Sequence, residues 1–259
     1  MSALLNYKLE GDGQAIVLLH GLFGSLSNLG LLARDLSQDH RVISLDLRNH
    51  GLSFKSQQHD YTLMAQDVID TLSAIGIDKA IVIGHSMGGK VAMEMANLAP
   101  NLAPNLVTQL IVLDMAPVAY QQRRHDNVFN GLHAVMEQKP TSRHEALQLL
   151  AQHIELDGVR QFLAKSLYKE GNHLAWRFNV DALIANYDSI LGWIPIEQTN
   201  IPTLFVKGGD SDYLTTEHQS LVQQQFSRAK AHVIAGTGHW LHAEKPAEVL
   251  RAIRKFISS

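Results

Sequence analysis

The chain is 259 residues long, 46% of its residues are hydrophobic, and its formal net charge is −3. This composition predicts a globular protein with one large core and no basic surface for nucleic acid. The absence of cysteine excludes disulfides, Cys-ligated zinc and a thiol nucleophile. No apolar run reaches the ~18 residues of a membrane span, and no signal-peptide pattern is present, so we expect a cytoplasmic protein. The composition leaves the oligomeric state open.

Short apolar runs alternate with helical patterns along most of the chain. The runs predicted to be strands are residues 6–9, 15–19, 41–45, 79–83, 109–113, 203–207 and 231–234. The first two are expected to join through a hairpin-like turn at residues 10–13. Apolar residues at helical spacing predict one helix over 64–75. They also mark a last helix at residues 249–257, which Pro246 opens in its first turn. This alternation predicts an α/β fold with a mostly parallel sheet.

Residues 81–96 carry the strongest functional signal in the sequence. A β-branched run leads into the Gly-x-Ser-x-Gly motif of residues 84–88, and a helix-prone segment follows. A serine nucleophile on a tight strand-to-helix turn requires this order, with glycines where side chains would clash with the backbone. We therefore predict that Ser86 is a nucleophile near the positive end of a helix. The alternative is a Gly-rich turn that carries an ordinary serine.

A short repeat follows the nucleophile segment. The sequence Asn-Leu-Ala-Pro occurs at residues 97–100 and again at residues 101–104. Two prolines oppose a continuous helix, so we expect these residues to form a surface loop before the next strand.

The alternation of strands and helices stops between residues 117 and 195. This segment is rich in Gln, His, Leu and Ala and shows no convincing strand, while strand-like runs return after it. We interpret residues 117–195 as a helical cap inserted into one α/β core made of residues 1–116 and 196–259. Trp176 and Phe178, with Phe23 and Trp240 outside the cap, are candidates to line an apolar substrate pocket, although aromatic residues in a small cap more often form its own core.

An activated serine needs a base, and the chain has fourteen histidines that could supply it. His239 lies in a Gly-rich loop directly after the last predicted strand, where a side chain can lie over the sheet edge to which Ser86 points. His239 is therefore the predicted base, and His242 is its rival. The other histidines lack Cys or carboxylate partners at metal-ligand spacing, so we expect no metal site. Catalysis by a serine and a histidine needs no cofactor, so none is expected.

Backbone amides are the expected donors for an oxyanion. Met87 follows the nucleophile, and the Gly-rich loop of residues 20–24 would supply the second amide. We predict that Leu22 donates from this loop, with Phe23 as the next choice. The alternative is a turn whose glycines only allow tight packing.

Four segments together resemble the α/β-hydrolase family. They are the His-Gly-x-x-Gly of residues 20–24, the segment 46–53, the Gly-His-Ser-Met-Gly-Gly of residues 84–89 and the Gly-His of residues 238–239. The Arg-Asn-His-Gly of residues 48–51 is similar to the bacterial YbfF-type esterases in particular, and the resemblance spans nearly the whole chain. It implies a mostly parallel α/β-hydrolase sheet flanked by helices, with an inserted helical cap. In the motif of residues 46–53, Arg48 and His50 are expected to join their loop to the nucleophile turn.

The acid of the implied triad departs from the usual family pattern. Most members carry it after the penultimate strand, where this sequence has Ser211 between Asp210 and Asp212. A serine cannot supply the negative charge that stabilises an imidazolium. We predict Asp114 instead, at the end of the strand after the nucleophile helix, because this motif resembles α/β-hydrolases that place the acid there. Asp210 and then Asp212 remain alternatives, and Ser211 would hydrogen-bond the Asp–His pair.

These residues predict hydrolysis of a small-molecule acyl ester or acyl thioester through a covalent acyl-serine. Carbon–carbon bond hydrolysis or lyase chemistry is an alternative, because the same fold and triad host it. A non-catalytic small-molecule receptor is a third reading. Arg123 and Arg124 at the cap entrance are candidates either to meet an anionic leaving group or to form a solvated pair.

Overall fold

The computed structural model describes residues 3–258, and the strands of this part of the chain fall into two sheets. The strands are β1 (Tyr7–Glu10), β2 (Ala15–Leu19), β3 (Arg41–Leu45), β4 (Ala80–His85), β5 (Val107–Leu113), β6 (Leu167–Glu170), β7 (His173–Trp176), β8 (Thr203–Gly208) and β9 (Ala229–Ile234). The main sheet has the order β1-β3-β2-β4-β5-β8-β9 and is parallel except for β1, so the predicted α/β fold with a mostly parallel sheet is confirmed.

Helices cover both faces of the main sheet. They are α1 (Gly30–Leu36), α2 (Tyr61–Ala74), α3 (Met87–Leu102), α4 (Asp126–Gln138), α5 (Arg143–Ala151), α6 (Asp157–Ala164), α7 (Val180–Ala185), α8 (Tyr187–Leu191), α9 (Gln219–Gln225), α10 (Leu241–Glu244) and α11 (Pro246–Ile257). Successive strand side chains point to opposite faces. The side chains of one face therefore pack with α1 and α11, and those of the other face pack with α2, α3 and the cap helices. No helix of the described residues is long and apolar enough to cross a membrane.

The predicted pairing at the N-terminus is wrong. β1 and β2 do not pair with each other, because β3 lies between them and pairs with both. All five residues of β2 are buried, which places this strand inside the sheet, whereas β1 is largely exposed at the edge. A fully buried parallel strand needs a neighbour on each side, and β3 and β4 are those neighbours.

The expected loop over the Asn-Leu-Ala-Pro repeat is also wrong. Helix α3 continues through Pro100 and ends at Leu102. Proline removes one amide donor, but this one stands in the last turn of a 16-residue helix whose other turns pack on the sheet. The helix ends within the second copy of the repeat, after Leu102, and the Ala103 amide donates to the carbonyl of Ala99.

The cap contains helices α4 to α8 and also a β-hairpin, which the sequence analysis did not predict. β6 and β7 pair antiparallel, with Glu170 opposite His173 across the two-residue turn of Gly171 and Asn172. Gly171 has a φ of 59°, a left-handed conformation that glycine adopts without a steric cost. A Gly-Asn pair between two short alternating runs is a hairpin signal, and it was the available clue.

The return from the cap to the core is fixed by polar contacts with α2 and α3. The Tyr61 hydroxyl donates to the carbonyl of Ile190 at 2.6 Å. The Lys90 ammonium donates to the carbonyls of Leu191 and Gly192 at 3.0 and 2.8 Å. Lys90 is fully buried, and its ammonium also lies over the rings of Tyr61 and Tyr120. These contacts attach the cap to the helix that follows Ser86.

Candidate active site

Ser86 lies at the apex of the turn between β4 and α3. Its φ of 54° and ψ of −121° place a non-glycine residue in the left-handed half of conformational space, a strain typical of functional turns. The flanking glycines are required by space, since a Cβ on Gly84 would collide with the carbonyl of Gly88. A Cβ on Gly88 would in turn collide with the carbonyls at the end of β2. The sequence therefore presents Ser86 at the positive end of a 16-residue helix.

Three side chains far apart in the sequence form a continuous hydrogen-bonded chain. His239 Nε2 lies 2.8 Å from Ser86 Oγ, and His239 Nδ1 lies 2.7 Å from Asp114 Oδ2. A carboxylate only accepts, so Nδ1 carries the proton and Nε2 is free to accept the proton of Ser86. Asp114 is fully buried, while the His239 side chain is 22% exposed. The geometry is that of a nucleophile, a base and an acid that orients the base.

Asp114 accepts two further hydrogen bonds that hold its charge in place. The Gly208 amide donates to Oδ1 at 3.0 Å, and the Ser211 hydroxyl donates to Oδ2, the oxygen that His239 also contacts. Asp114 itself has a φ of 51°, so the end of β5 is strained like the turn at Ser86. The structure thus contains the hydrogen bond from Ser211 to the Asp–His pair that the sequence suggested.

The two alternative carboxylates lie outside this chain of hydrogen bonds. Asp210 is exposed, and its carboxylate makes no hydrogen bond to any residue between positions 3 and 258. Asp212 pairs with Arg124 at 2.5 Å, and the hydrogen bond from Arg124 lowers the pKa of Asp212. Among the three candidates, Asp114 is the carboxylate that the structure brings to His239.

Two backbone amides next to Ser86 are available as oxyanion donors. Neither the Leu22 N–H nor the Met87 N–H has a hydrogen-bond acceptor among the described residues. The Phe23 N–H is already used, since it donates to His50 Nε2 at 3.1 Å. A Cβ built on Gly21 would lie 3.3 Å from the Ser86 Cβ, so the loop runs directly beside the nucleophile. This geometry favours Leu22 over Phe23 as the second donor.

Two residues that the sequence analysis did not assign to the site hold His239 in place. The ring of Tyr213 stacks on the His239 imidazole, with 3.9 Å between centroids and 20° between planes. His85 Nε2 donates to the His239 carbonyl at 2.9 Å, and burial lowers the pKa of His85 well below its ordinary value. His242, the rival base, is buried beside His85 and makes no hydrogen bond to Ser86. No local pattern marks Tyr213, because its contact depends on how the loop after β8 folds.

Lys90 is a further residue that the sequence analysis passed over. It lies four residues after Ser86, and its amide donates to the Ser86 carbonyl at 3.2 Å. Burial lowers its pKa to about 7. Its sequence signal was a lysine among apolar residues on the inner face of α3.

A cavity of about 830 Å³ opens over Ser86, between the core loops and the cap. Its walls are mainly apolar and include Leu22, Phe23, Met115, Val128, Val159, Phe162, Ile190, Leu191 and Trp240. Phe23 and Trp240, two of the candidate pocket residues, line this cavity. The prediction for Trp176 and Phe178 is wrong, because neither side chain reaches it. They stack on each other inside the cap with 5.1 Å between centroids, where aromatic burial stabilises the cap itself.

The loop of residues 46–53 makes contacts different from those expected. Arg48 forms a buried ion pair with Asp67 of α2 at 2.5 Å. His50 contacts the loop of residues 20–24 through the Phe23 amide. Both side chains bond to other parts of the core, and neither bonds to the nucleophile turn. Within residues 3–258, no three His, Asp or Glu side chains are grouped in a way that could hold a metal ion.

Comparison with known proteins agrees with this geometry. The profile of the alpha/beta hydrolase family matches residues 16–252. The chain belongs to the α/β-hydrolase family. Among curated relatives, it is 49% identical to Esterase YbfF of Escherichia coli over 96% of this chain and 95% of that protein. It is 44% identical to a putative esterase/lipase of Haemophilus influenzae, over 99% of this chain and 89% of that protein.

A solved structure extends the similarity to the full architecture. A marine microorganism esterase superposes with a TM-score of 0.93 at 32% identity, covering 98% of this chain and all of that one. The resemblance to the YbfF-type esterases seen in the sequence is thereby confirmed.

Proposed function

We propose that the protein is a serine hydrolase that cleaves carboxylic esters through a covalent acyl-serine intermediate, with Ser86, His239 and Asp114 as its catalytic residues. The observation that carries this proposal is the continuous hydrogen-bonded chain from Ser86 Oγ through the His239 ring to the buried Asp114 carboxylate. The esterase relatives, which match nearly their full length, support the same activity.

In the first half of the reaction, His239 Nε2 takes the proton of Ser86 while Oγ attacks the acyl carbonyl. The negative charge moves to the carbonyl oxygen, where the amides of Leu22 and Met87 stabilise it. Asp114 stabilises the imidazolium that forms and stays ionised. The intermediate then collapses, His239 gives its proton to the leaving alcohol or thiol, and the acyl group remains on Ser86.

In the second half, water replaces the alcohol. His239 takes a proton from water, and the resulting hydroxide attacks the acyl-serine carbonyl. The same amides stabilise the second tetrahedral intermediate. Its collapse breaks the Ser86 ester, and His239 returns the proton to Oγ, so the free enzyme and a carboxylic acid result.

The lining of the cavity indicates that an apolar acyl group is the part of the substrate bound there. Its walls are mostly apolar, and a buried apolar surface binds hydrocarbon rather than charge. Arg124 at the mouth is paired with Asp212, and Arg123 is paired with Asp126 and Asp188. We propose small-molecule acyl esters or acyl thioesters as substrates. We further propose that residues 1–116 and 196–259 form the core, that residues 117–195 form the cap, and that the protein is cytoplasmic.

The experiment that tests the function compares the wild type with Ser86→Ala. We expect the wild type to hydrolyse p-nitrophenyl esters and to gain one adduct on Ser86 from an organophosphonate, measured by intact mass. Ser86→Ala should lose the hydrolysis and the adduct. Wild-type turnover in Ser86→Ala would refute the mechanism, and absence of labelling in the wild type would favour a receptor. A panel of p-nitrophenyl esters, acyl thioesters and carbon–carbon cleavage substrates then separates the remaining alternatives.

A further inference from the structure

Two buried histidines cross-link the loop that follows β2 to the loop that follows β3. His20, at the end of β2, accepts a hydrogen bond from the Leu47 amide through Nε2 at 3.0 Å. His50, in the loop after β3, accepts one from the Phe23 amide through Nε2 at 3.1 Å. The two bonds run in opposite directions, so each loop supplies one ring and one amide. The rings lie 5.0 Å apart, centroid to centroid.

Both rings are held in one tautomer. The Nδ1 atom of His20 lies 2.8 Å from the Gly21 carbonyl, and the Nδ1 atom of His50 lies 2.9 Å from the Arg48 carbonyl. A carbonyl only accepts, so Nδ1 carries the proton in each ring and Nε2 is the acceptor. Burial lowers the pKa of each histidine, which keeps both rings neutral and able to accept.

The loop fixed in this way contains the amide predicted to hold the oxyanion. Leu22 lies between Gly21, which packs against Ser86, and Phe23, whose amide is bound by His50. Phe23 has a φ of 63°, a strained conformation that persists only where its surroundings enforce it. The Phe23 carbonyl is bound as well, since the Ser166 hydroxyl of the cap donates to it at 3.1 Å.

We propose that His20 and His50 are positioning residues that aim the Leu22 amide at the substrate carbonyl oxygen by locking the loop of residues 20–24 against the loop of residues 46–53. The proposal rests on the proposed function, because an oxyanion forms only if Ser86 attacks an acyl group. The two histidines should therefore affect the stability of the transition state. They should not affect binding of the substrate in its ground state, because neither ring lines the cavity over Ser86.

A third contact keeps the two loops together when one histidine is replaced. The Asp46 carboxylate accepts from the Leu26 amide at 2.7 Å and from the Leu52 amide at 2.9 Å. Loss of His50 should therefore shift the loop of residues 20–24 without separating it from the loop of residues 46–53. Misplacement of an oxyanion donor costs about 10²-fold or more in rate, so a donor that is loosened should cost on the order of 10- to 100-fold.

The test uses variants of His50 with a matched control. His50→Leu removes the acceptor at similar volume, His50→Asn shortens the side chain so that it falls short of Phe23, and His50→Gln restores an acceptor. His59→Leu is the control, because His59 is buried with its ring 5.7 Å from that of His50 yet bonds to no amide of residues 20–24. Three constants are measured: kcat/KM for p-nitrophenyl butyrate, the Ki of butylboronic acid, and the Ki of the ether analogue of the ester.

The boronate forms a tetrahedral adduct on serine and reports the oxyanion site, whereas the ether has no carbonyl and reports ground-state binding. We expect the Leu and Asn variants to lose roughly 10- to 100-fold in kcat/KM and to weaken boronate binding by a similar factor. The Ki of the ether should stay unchanged, and Gln and the His59 control should remain near the wild type. Any folded Leu or Asn variant with wild-type boronate affinity would overturn the proposal, as would an equal loss in His59→Leu. Failure of the function itself would instead show in the wild type, as absence of ester turnover.

Discussion

The loops at the carboxyl edge of the sheet and the cap above them are held together in different ways. At the sheet edge, Ser86, Asp114 and Phe23 adopt left-handed backbone conformations, and buried polar groups bond to one another in a fixed geometry. Inside the cap, Trp176 and Phe178 stack within an apolar cluster that continues into the core. The conformation of the sheet edge is therefore determined by the directions of its hydrogen bonds. The conformation of the cap is determined by how its apolar side chains fill space.

This difference predicts different responses to substitution. A strained residue costs of order 1–3 kcal/mol and is retained only if the surroundings enforce it, here the buried strands β4 and β5. Replacing a single polar group at the sheet edge should therefore change the rate of hydrolysis with little effect on the free energy of unfolding. Single side chains in the cap should change stability or substrate preference with little effect on the chemical step.

Asp114→Asn should have the largest effect on activity. The amide cannot orient the histidine tautomer or stabilise its charge, so kcat for p-nitrophenyl acetate should fall on the order of 10³- to 10⁴-fold, by analogy with the chymotrypsin-type case. Asp210→Asn is the control, because the exposed Asp210 carboxylate makes no hydrogen bond within residues 3–258, and it should stay within about tenfold of the wild type. If Asp210→Asn were inactive and Asp114→Asn active, the assignment of Asp114 as the acid of the triad would be wrong.

Trp176→Ala should have the largest effect on the cap. It empties a buried site and removes the indole hydrogen bond to the Leu132 carbonyl, so the free energy of unfolding should fall by about 3–5 kcal/mol. Chemical denaturation measures this change. Leu156→Ala, at a side chain that is 67% exposed, is the control and should change stability by less than about 0.5 kcal/mol. An unchanged stability in Trp176→Ala would contradict the core role of this residue.

Lys90→Met tests the attachment between the two regions. It leaves the carbonyls of Leu191 and Gly192 without their donor, and we expect a loss of about 1–3 kcal/mol in unfolding free energy at pH 7.

The pH dependence of this stability difference gives a second check. The pKa of Lys90 is about 7 in the folded protein and near 10.5 in the unfolded chain, so the unfolded chain binds more protons between these values. The wild type should therefore gain stability relative to Lys90→Met as the pH rises above about 7. A difference independent of pH would contradict the lowered pKa.

Phe162→Ala should have the smallest effect and the most selective one. Phe162 lines the cavity and packs on Trp240 with 5.6 Å between ring centroids. Its removal lengthens the apolar site, so kcat/KM should shift toward longer p-nitrophenyl esters by roughly tenfold. This is the low end of the ~1–3 kcal/mol that a change in a hydrophobic pocket is worth. Tyr168→Ala, in the cap hairpin outside the cavity, should leave the preference unchanged. A uniform loss on all esters would place the cap in the chemical step.

The sequence by itself determined the elements whose signals are local. The Gly-x-Ser-x-Gly motif between a strand and a helix predicted the turn at Ser86, because only glycine fits where Gly84 and Gly88 meet backbone. Buried parallel strands were visible as apolar runs, since both of their faces must be covered. Position 211 holds a serine where most family members have the acid, and the resemblance to members with the acid after the preceding strand predicted Asp114.

Only the tertiary structure decided the contacts between distant residues. β3 lies between β1 and β2, and Trp176 and Phe178 turn into the cap core. The rings of His20 and His50 each accept a hydrogen bond from a backbone amide 27 positions away in the chain. Each of these depends on which surfaces remain to be buried once the sheet has formed. A local pattern fixes the conformation of a segment, whereas its partners follow from packing the whole chain, and that is where the sequence alone was wrong or silent.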